Sequence, residues 1–301
     1  MHAPAPSPRL SAEAWLLIGL LSLPWGASFI FYRLLAAELP SLSIACGRVG
    51  LAALALYLAV RLRGERLTVP WRQFLVMGLL NNAIPFTLFA WAETRVTSGT
   101  AAILNAATPI LTTVVLRAAG VEPLTPARIA GVLLGLAGVA VLVGPQAWDL
   151  TADLPAELAC LGAALSYAFT ALWARRMAKV PPLHAATAQC LCSTAILLPL
   201  VLLVDRPWTM DMPAPATWGA LLGIALVSTA LAYVIFFRII AVAGAQNVML
   251  VTFLVPVSAL AMGVLLLGEP ILPASIAGMA LIAAGLAAID GRLLRRLRPS
   301  G

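Results

Sequence analysis

Long runs of apolar residues follow one another along this chain, separated by short stretches that hold most of the charges, prolines and polar clusters. A helix needs about 20 apolar residues to cross the roughly 30 Å hydrocarbon core of a bilayer. The runs are continuous rather than alternating, which argues against the strands of a transmembrane β-barrel. The pattern predicts an all-α polytopic membrane protein with ten transmembrane helices, at 12–36, 40–62, 71–92, 98–117, 125–144, 156–175, 183–204, 216–238, 245–267 and 271–291.

The composition excludes a soluble protein of this length. Hydrophobic residues make up 62% of the 301 residues, charged residues make up 10%, and the mean hydropathy is +0.99. Soluble proteins carry about 25% charged residues, so much of the apolar surface of this chain must face lipid. The first run is longer than the apolar core of a cleavable signal peptide and is interrupted by Pro24, so we expect it to be retained.

The distribution of charge predicts the orientation of the chain. With the N-terminus in the cytoplasm, fifteen of the nineteen Lys and Arg residues fall in cytoplasmic segments, three fall outside and Arg48 lies within a span. By the positive-inside rule, both termini are then cytoplasmic, as in a multi-pass protein of the bacterial inner (plasma) membrane. The net charge of +7 is therefore a topology signal, and we expect no nucleic-acid partner.

The second half of the sequence resembles the first with a constant offset of 147 residues. Pro109 pairs with Pro256, and Glu122-Pro123 pairs with Glu269-Pro270. Three glycines pair in the same way, Gly131, Gly138 and Gly144 with Gly278, Gly285 and Gly291. Because each half holds five spans, an odd number, the second copy enters the membrane from the opposite side. The sequence predicts two inverted five-helix repeats, 1–147 and 148–301, an arrangement that lets a carrier open alternately to either side.

The order of these features resembles the EamA-type branch of the drug/metabolite transporter superfamily. The resemblance rests on the early Trp25-Gly26-x-Ser28-Phe29 motif, the ten spans, and the two proline-containing helices, each followed by Glu-Pro and a Gly-rich helix. Within that branch the chain is similar to the YddG-type amino-acid exporters. The resemblance implies a basket-shaped bundle in which helices 1, 3, 4, 6, 8 and 9 surround a central cavity, with helices 5 and 10 at the periphery. It also implies export of amino acids, aromatic and other neutral ones, by alternating access.

Polar residues inside the spans are the candidates for substrate binding, because a bare amide or hydroxyl in hydrocarbon is costly. Helical spacing places Asn81, Pro85 and Phe89 on one face of helix 3, and Thr229, Tyr233 and Phe236 on the matching face of helix 8. Amides, hydroxyls and rings together suit a zwitterion with an apolar side chain. The alternative is hydrogen bonding between helices without a substrate. The predicted substrate-binding residues are Trp25, Ser28, Asn81, Pro85, Phe86, Phe89, Asn105, Tyr167, Trp173, Thr229 and Tyr233.

Arg48 is the one basic residue well inside a span. One interpretation is that it binds a substrate carboxylate. The other is that it extends outward to the interface or bonds carbonyl groups. We favour the second interpretation, because helix 2 is not expected to line the cavity. Glu93 and Glu157 lie near the outer face and leave the middle of the membrane without a carboxylate. Facilitated exchange or diffusion is then the expected coupling, rather than carboxylate-based proton antiport.

The sequence contains no motif for a metal, a cofactor or catalysis, so we expect neither a cofactor nor an enzyme. The expected partners are a small-molecule substrate, amino acids or related metabolites, and the lipid bilayer. The Gly131-Gly135-Gly138 stripe suits close packing within the bundle better than a dimer face, which favours a monomer. Carriers of lipophilic drugs or of nucleotide sugars remain alternatives, and a channel or a membrane enzyme fits less well.

Overall fold

The computed structural model describes residues 10–96, 101, 104–121, 125–143, 153–267 and 273–290. These ranges contain helices and no β-strand, and each main helix overlaps one of the predicted apolar runs, although α8 continues to Ala243, beyond the predicted end at 238. The main helices of this part of the chain are α1 (Ala12–Leu35), α2 (Ser41–Leu62), α3 (Trp71–Ala92), α4 (Thr108–Ala118), α5 (Pro126–Val143), α6 (Leu154–Ala174), α7 (Pro182–Leu200), α8 (Pro215–Ala243), α9 (Val251–Leu267) and α10 (Pro273–Asp290).

Helix starts follow local capping chemistry. The Ser11 hydroxyl accepts a hydrogen bond from the backbone N–H of Ala14 at the start of α1, and the Asp153 carboxylate accepts one from Ala156 at the start of α6. Several helices, among them α4 and α8, carry proline in their first turn, where its missing N–H costs no hydrogen bond.

Five helices in the described part of the chain are long and apolar enough to cross a membrane: Ser41–Leu62, Trp71–Ala92, Leu154–Met177, Pro182–Thr209 and Pro215–Ala243. Large apolar side chains such as Leu62 and Leu265 are 87% and 80% exposed, which suits a surface in contact with lipid rather than water. These observations indicate a multi-pass membrane protein. The number of ten spans and the cytoplasmic termini stay predictions.

Helices α3 and α8 each contain a π-helical segment at matching positions. The segments are Leu79–Ala83 and Leu226–Leu231, and their first residues are 147 positions apart. A π segment inserts an extra residue into an α-helix and leaves some carbonyl groups without their usual partners. Such groups need other donors inside a membrane protein, so these segments mark where the interior must be polar.

Pro109 lies near the start of a helix rather than in its middle. It lies in the first turn of α4, and the chain makes a turn at Ala106 and Ala107 just before it. Proline fits this position because its fixed φ angle suits the first helical turn. Pro256, its partner in the repeat, does lie inside α9.

Helices α5 and α10 pack closely through glycines. A β-carbon placed on Gly131 would lie 2.6 Å from the carbonyl oxygen of Gly285, and one on Gly138 would lie 2.8 Å from that of Gly278. The partner number falls as the residue number rises, so the two helices are antiparallel. This observation supports the predicted use of the stripe for packing within one chain.

The remaining helices pack against one another around the interior. Helix α1 packs against α8 and α9, α2 against α7 and α8, and α3 against α6 and α7. The Ser22 and Ser258 hydroxyls share a hydrogen bond of 2.6 Å between α1 and α9. Aromatic residues of α8 fill the centre, where Phe236 and Phe237 are almost fully buried. The π segments of α3 and α8 both border this centre.

Candidate functional site

A cavity lies between the halves of the bundle, bordered by α1, α2, α3, α6, α8 and α9. The centre of a water-sized molecule can occupy about 80 Å³ of this cavity. One water needs roughly 10–15 Å³ by the same measure, so the cavity has room for several waters or for a small solute that displaces them. Its lining combines aromatic rings with amide, hydroxyl and charged groups.

Eight of the eleven predicted residues border this cavity. They come from four helices and the segment before α4, and they are Trp25, Ser28, Asn81, Phe86, Phe89, Asn105, Tyr167 and Tyr233. Phe236, which helical spacing placed on the matching face of helix 8, borders the cavity as well. So does Thr252 of α9. The Phe89 and Tyr167 rings stack with their centroids 6.3 Å apart, and Tyr233 meets Phe236 edge to face at 5.8 Å.

Three predicted residues lie away from the cavity. The Trp173 indole N–H donates to the carbonyl of Gln73 at 2.9 Å, and its ring stacks on Arg176, so it ties α6 to the start of α3. Pro85 is buried in α3 just after the π segment. Thr229 is fully buried and does not border the cavity, but its hydroxyl accepts a hydrogen bond from Arg48, which does.

Arg48 borders the cavity and is only 3% exposed, so the preferred interpretation that its side chain extends outward is wrong. Its Nε donates to Thr229 Oγ1 at 2.7 Å, its Nη1 to the Tyr32 hydroxyl at 2.9 Å and its Nη2 to the Ser228 carbonyl at 3.0 Å. The guanidinium also lies over the Phe86 ring, 3.9 Å from its centroid. The predicted bond to a carbonyl is present, but it points inward to the π segment of α8.

A network of hydrogen bonds between neutral side chains surrounds Asn82, next to the cavity residue Asn81. The Asn82 carbonyl oxygen accepts hydrogen bonds from Gln189 Nε2 at 3.0 Å and from the Tyr233 hydroxyl, while its Nδ2 donates to Ser193 Oγ at 2.7 Å. Asn81 Nδ2 donates to Gln189 Oε1 at 3.2 Å. Both amides therefore join helices, and Asn81 borders the cavity as well, where substrate binding stays a prediction.

Glu93 follows the last residue of α3 and also borders the cavity. Its position near the outer face stays a prediction. Burial raises the pKa of this carboxyl to about 8, and the Arg48 guanidinium partly offsets the rise. The other titratable side chains that interact electrostatically with Glu93 are Tyr32 and Cys160. Neighbouring Arg95 pairs instead with Asp153, at 2.9 Å.

The sequence carried signals for some of the cavity residues that we missed. Tyr32 lies one turn after Ser28, and Glu93 lies one turn after Phe89, so both continue faces already identified. Arg48 was marked by being the one basic residue inside a span. Met249 and Val255 border the cavity as ordinary apolar residues, and nothing in their spacing distinguishes them.

Comparison with known proteins identifies the family. The model of the EamA-like transporter family matches the chain twice, over residues 12–144 and 154–289. The chain is 28% identical over 270 residues to the uncharacterized transporter YwfM of Bacillus subtilis (strain 168), covering 88% of this chain and 90% of YwfM. It is 27% identical over 297 residues to a protein of Streptantibioticus cattleyicolor named "probable terminal-alkyne amino-acid exporter", covering 96% and 97% of the two chains.

The fold also matches a solved structure. A protein crystal structure superposes with a TM-score of 0.76 at 22% identity, over 95% of this chain and 98% of that one. At this identity the likeness concerns the fold alone. The two family matches together cover most of the sequence, and the chain therefore belongs to the EamA-like transporter family of the drug/metabolite transporter superfamily.

Proposed function

We propose that this transporter exports neutral amino acids, aromatic ones included, by alternating access through the central cavity. The observation that carries the proposal is the lining of this cavity, where a guanidinium, an amide and hydroxyl groups stand beside aromatic rings. The polar groups suit the head group of an amino acid, and the rings suit an apolar side chain. The name of the Streptantibioticus cattleyicolor relative supports the same substrate class.

Alternating access requires two halves that exchange conformations. The antiparallel glycine contact of α5 and α10 and the two π segments at an offset of 147 residues both support inverted repeats. The excess of basic residues in predicted cytoplasmic segments supports cytoplasmic termini in a bacterial inner membrane. We further propose a monomer, since the glycine face of α5 is covered by α10 of the same chain.

Counterflow in proteoliposomes tests this function. Liposomes loaded with one unlabelled amino acid should accumulate the same labelled amino acid from outside, with a saturable initial rate. Nucleotide sugars and lipophilic organic cations are the rival substrates, and nucleotide sugars fit less well because Arg48 is the one basic residue that borders the cavity in the described part of the chain. Accumulation of either rival without any amino acid would overturn the proposal, and a flux that does not saturate would indicate a channel.

A matched pair of variants connects the transport to the cavity. Phe89 borders the cavity, whereas Phe74 is fully buried elsewhere in the same helix. Phe89→Ala should change the order in which amino acids compete for transport, and Phe74→Ala should leave that order unchanged. An unchanged order in both variants would separate transport from this cavity.

A further inference from the structure

We propose that Arg48 and Glu93 form a two-charge site that binds the carboxylate and the ammonium of one α-amino acid, with its side chain among the aromatic rings. The proposal rests on the amino-acid export proposed above and specifies how the substrate is recognised. It selects zwitterions with an uncharged side chain over acids, amines and amino acids with a charged side chain.

The first charge is fixed in place, and no described carboxylate forms an ion pair with it. Arg48 makes three hydrogen bonds, all to neutral oxygens, and no carboxylate lies within 4.0 Å of it among the described residues. A guanidinium has five N–H donors in a planar fork, so two remain for another acceptor. A buried cation without a counter-ion is costly, and a carboxylate brought by the substrate would remove that cost.

The second charge is placed to accept a cation. The Glu93 carboxylate borders the same cavity and makes no hydrogen bond or ion pair with any described residue. Arg95, two residues further, is already bound to Asp153. Glu93 and Arg48 border the same cavity and form no ion pair with each other. A substrate ammonium next to Glu93 would stabilise its ionised form.

At a pH where Glu93 is ionised, two opposite charges in a low-dielectric cavity favour a ligand that satisfies both. A ligand with a carboxylate alone leaves Glu93 unpaired, and one with an ammonium alone leaves Arg48 unpaired. Each unpaired buried group lowers affinity. The Phe86, Phe89 and Phe236 rings border the remaining space, where a charged side chain would be desolvated without a partner.

Competition with analogues that lack one charge tests the site. In counterflow of labelled phenylalanine, unlabelled phenylalanine should compete at least tenfold better than phenylalaninamide, which lacks the carboxylate, or 3-phenylpropionate, which lacks the ammonium. Glu93→Gln should abolish the preference over 3-phenylpropionate and retain the preference over phenylalaninamide. Arg48→Met should do the reverse. Glu157→Gln is the matched control, because Glu157 is a buried carboxyl that does not border the cavity, and it should retain both preferences.

The outcomes separate this inference from the function beneath it. If the native chain counterflows no amino acid, both proposals are overturned. If it counterflows phenylalanine and Glu93→Gln keeps both preferences, the two-charge site alone is overturned. If Arg48→Met does not fold, Arg48→Lys replaces it, because Lys keeps the charge and loses the fork. A lysine variant that stays folded and selects as the native chain does would overturn the role of the guanidinium fork, while loss of preference over phenylalaninamide would support it.

Discussion

The π segments of α3 and α8 are alike in their backbone and different in their chemistry. Asn82 and Thr229 occupy the matching positions, 147 residues apart, and both are fully buried. Asn82 is held by neutral side chains of α7, Gln189 and Ser193. Thr229 is held by a charged side chain of α2, Arg48. Each segment is therefore held by a helix of the other half of the chain.

This difference teaches that repeated architecture does not imply a symmetric binding site. The carbonyl groups freed by the π segments receive different donors, the Ser166 hydroxyl at Leu80 and the Arg48 guanidinium at Ser228. An amino acid is itself asymmetric, with a cationic and an anionic end. Under the proposed two-charge site, the one fixed cation would hold the amino acid in a single orientation. The proposed repeats nevertheless relate the helices around the cavity in pairs.

The largest effect should follow from joining α3 to α8, which would abolish the freedom of the two segments to move apart. Cysteines introduced at Thr94 and Ala216, near the predicted outer ends of these helices, would be linked by reducible reagents of graded length. The four native cysteines, all buried, would first be replaced by alanine. Transport should fall to background and return on reduction. Full transport by a completely linked sample would exclude relative motion of these ends.

Removal of the charged member of the comparison should have the next largest effect. Arg48→Met removes three hydrogen bonds from a buried guanidinium, and hydrogen bonds to charged groups contribute about 1.5–3 kcal/mol each. We expect initial transport rates to fall about 100-fold. This corresponds to the upper end of the range for one such bond, because 1.4 kcal/mol is a factor of ten. Thermal unfolding in detergent would show how much of this loss reflects stability. A rate within a factor of three of the native rate would contradict the importance assigned to Arg48.

A change of pH should have an intermediate effect through Glu93. Because burial raises the pKa of Glu93 to about 8, most of the carboxyl is protonated at pH 6 and about half is ionised at pH 8. Only the ionised form attracts an ammonium, so substrate affinity should rise with pH over this interval by up to about fiftyfold, the rise in the ionised fraction. Equilibrium binding of labelled phenylalanine at each pH measures it. Glu93→Gln should give a flat profile, and an equally steep profile in that variant would assign the effect to another group.

The smallest effect should follow from weakening the neutral member. Gln189→Leu removes the donor to Asn82 and the acceptor of Asn81, but Tyr233 and Ser193 still bond Asn82. Hydrogen bonds between membrane helices contribute about 0.6 kcal/mol on average. We expect transport to fall less than fivefold and the melting temperature to drop by a few degrees. A loss as large as that of Arg48→Met would remove the distinction between the two segments.

The amino-acid pattern predicted the helices and much of the cavity because both depend on local spacing. Asn81 and Phe89 lie two turns apart on one face of α3, and Tyr233 lies on the matching face of α8, so that spacing is visible in the sequence. The direction of the Arg48 side chain is not, because it depends on Thr229, which is 181 residues away. Trp173 was misplaced for the same reason, since its partner is the carbonyl of Gln73, a backbone group that leaves no mark in the sequence.

The glycine contact of α5 and α10 has a consequence for a single repeat. The pairs Gly131–Gly285 and Gly138–Gly278 exchange with each other under the 147-residue offset, as contacts do across the isologous interface of a homodimer. Each copy of the repeat thus provides the surface that the other requires. A five-helix half produced alone would present a self-complementary face, and two copies would form the same antiparallel contact only if they entered the membrane in opposite orientations.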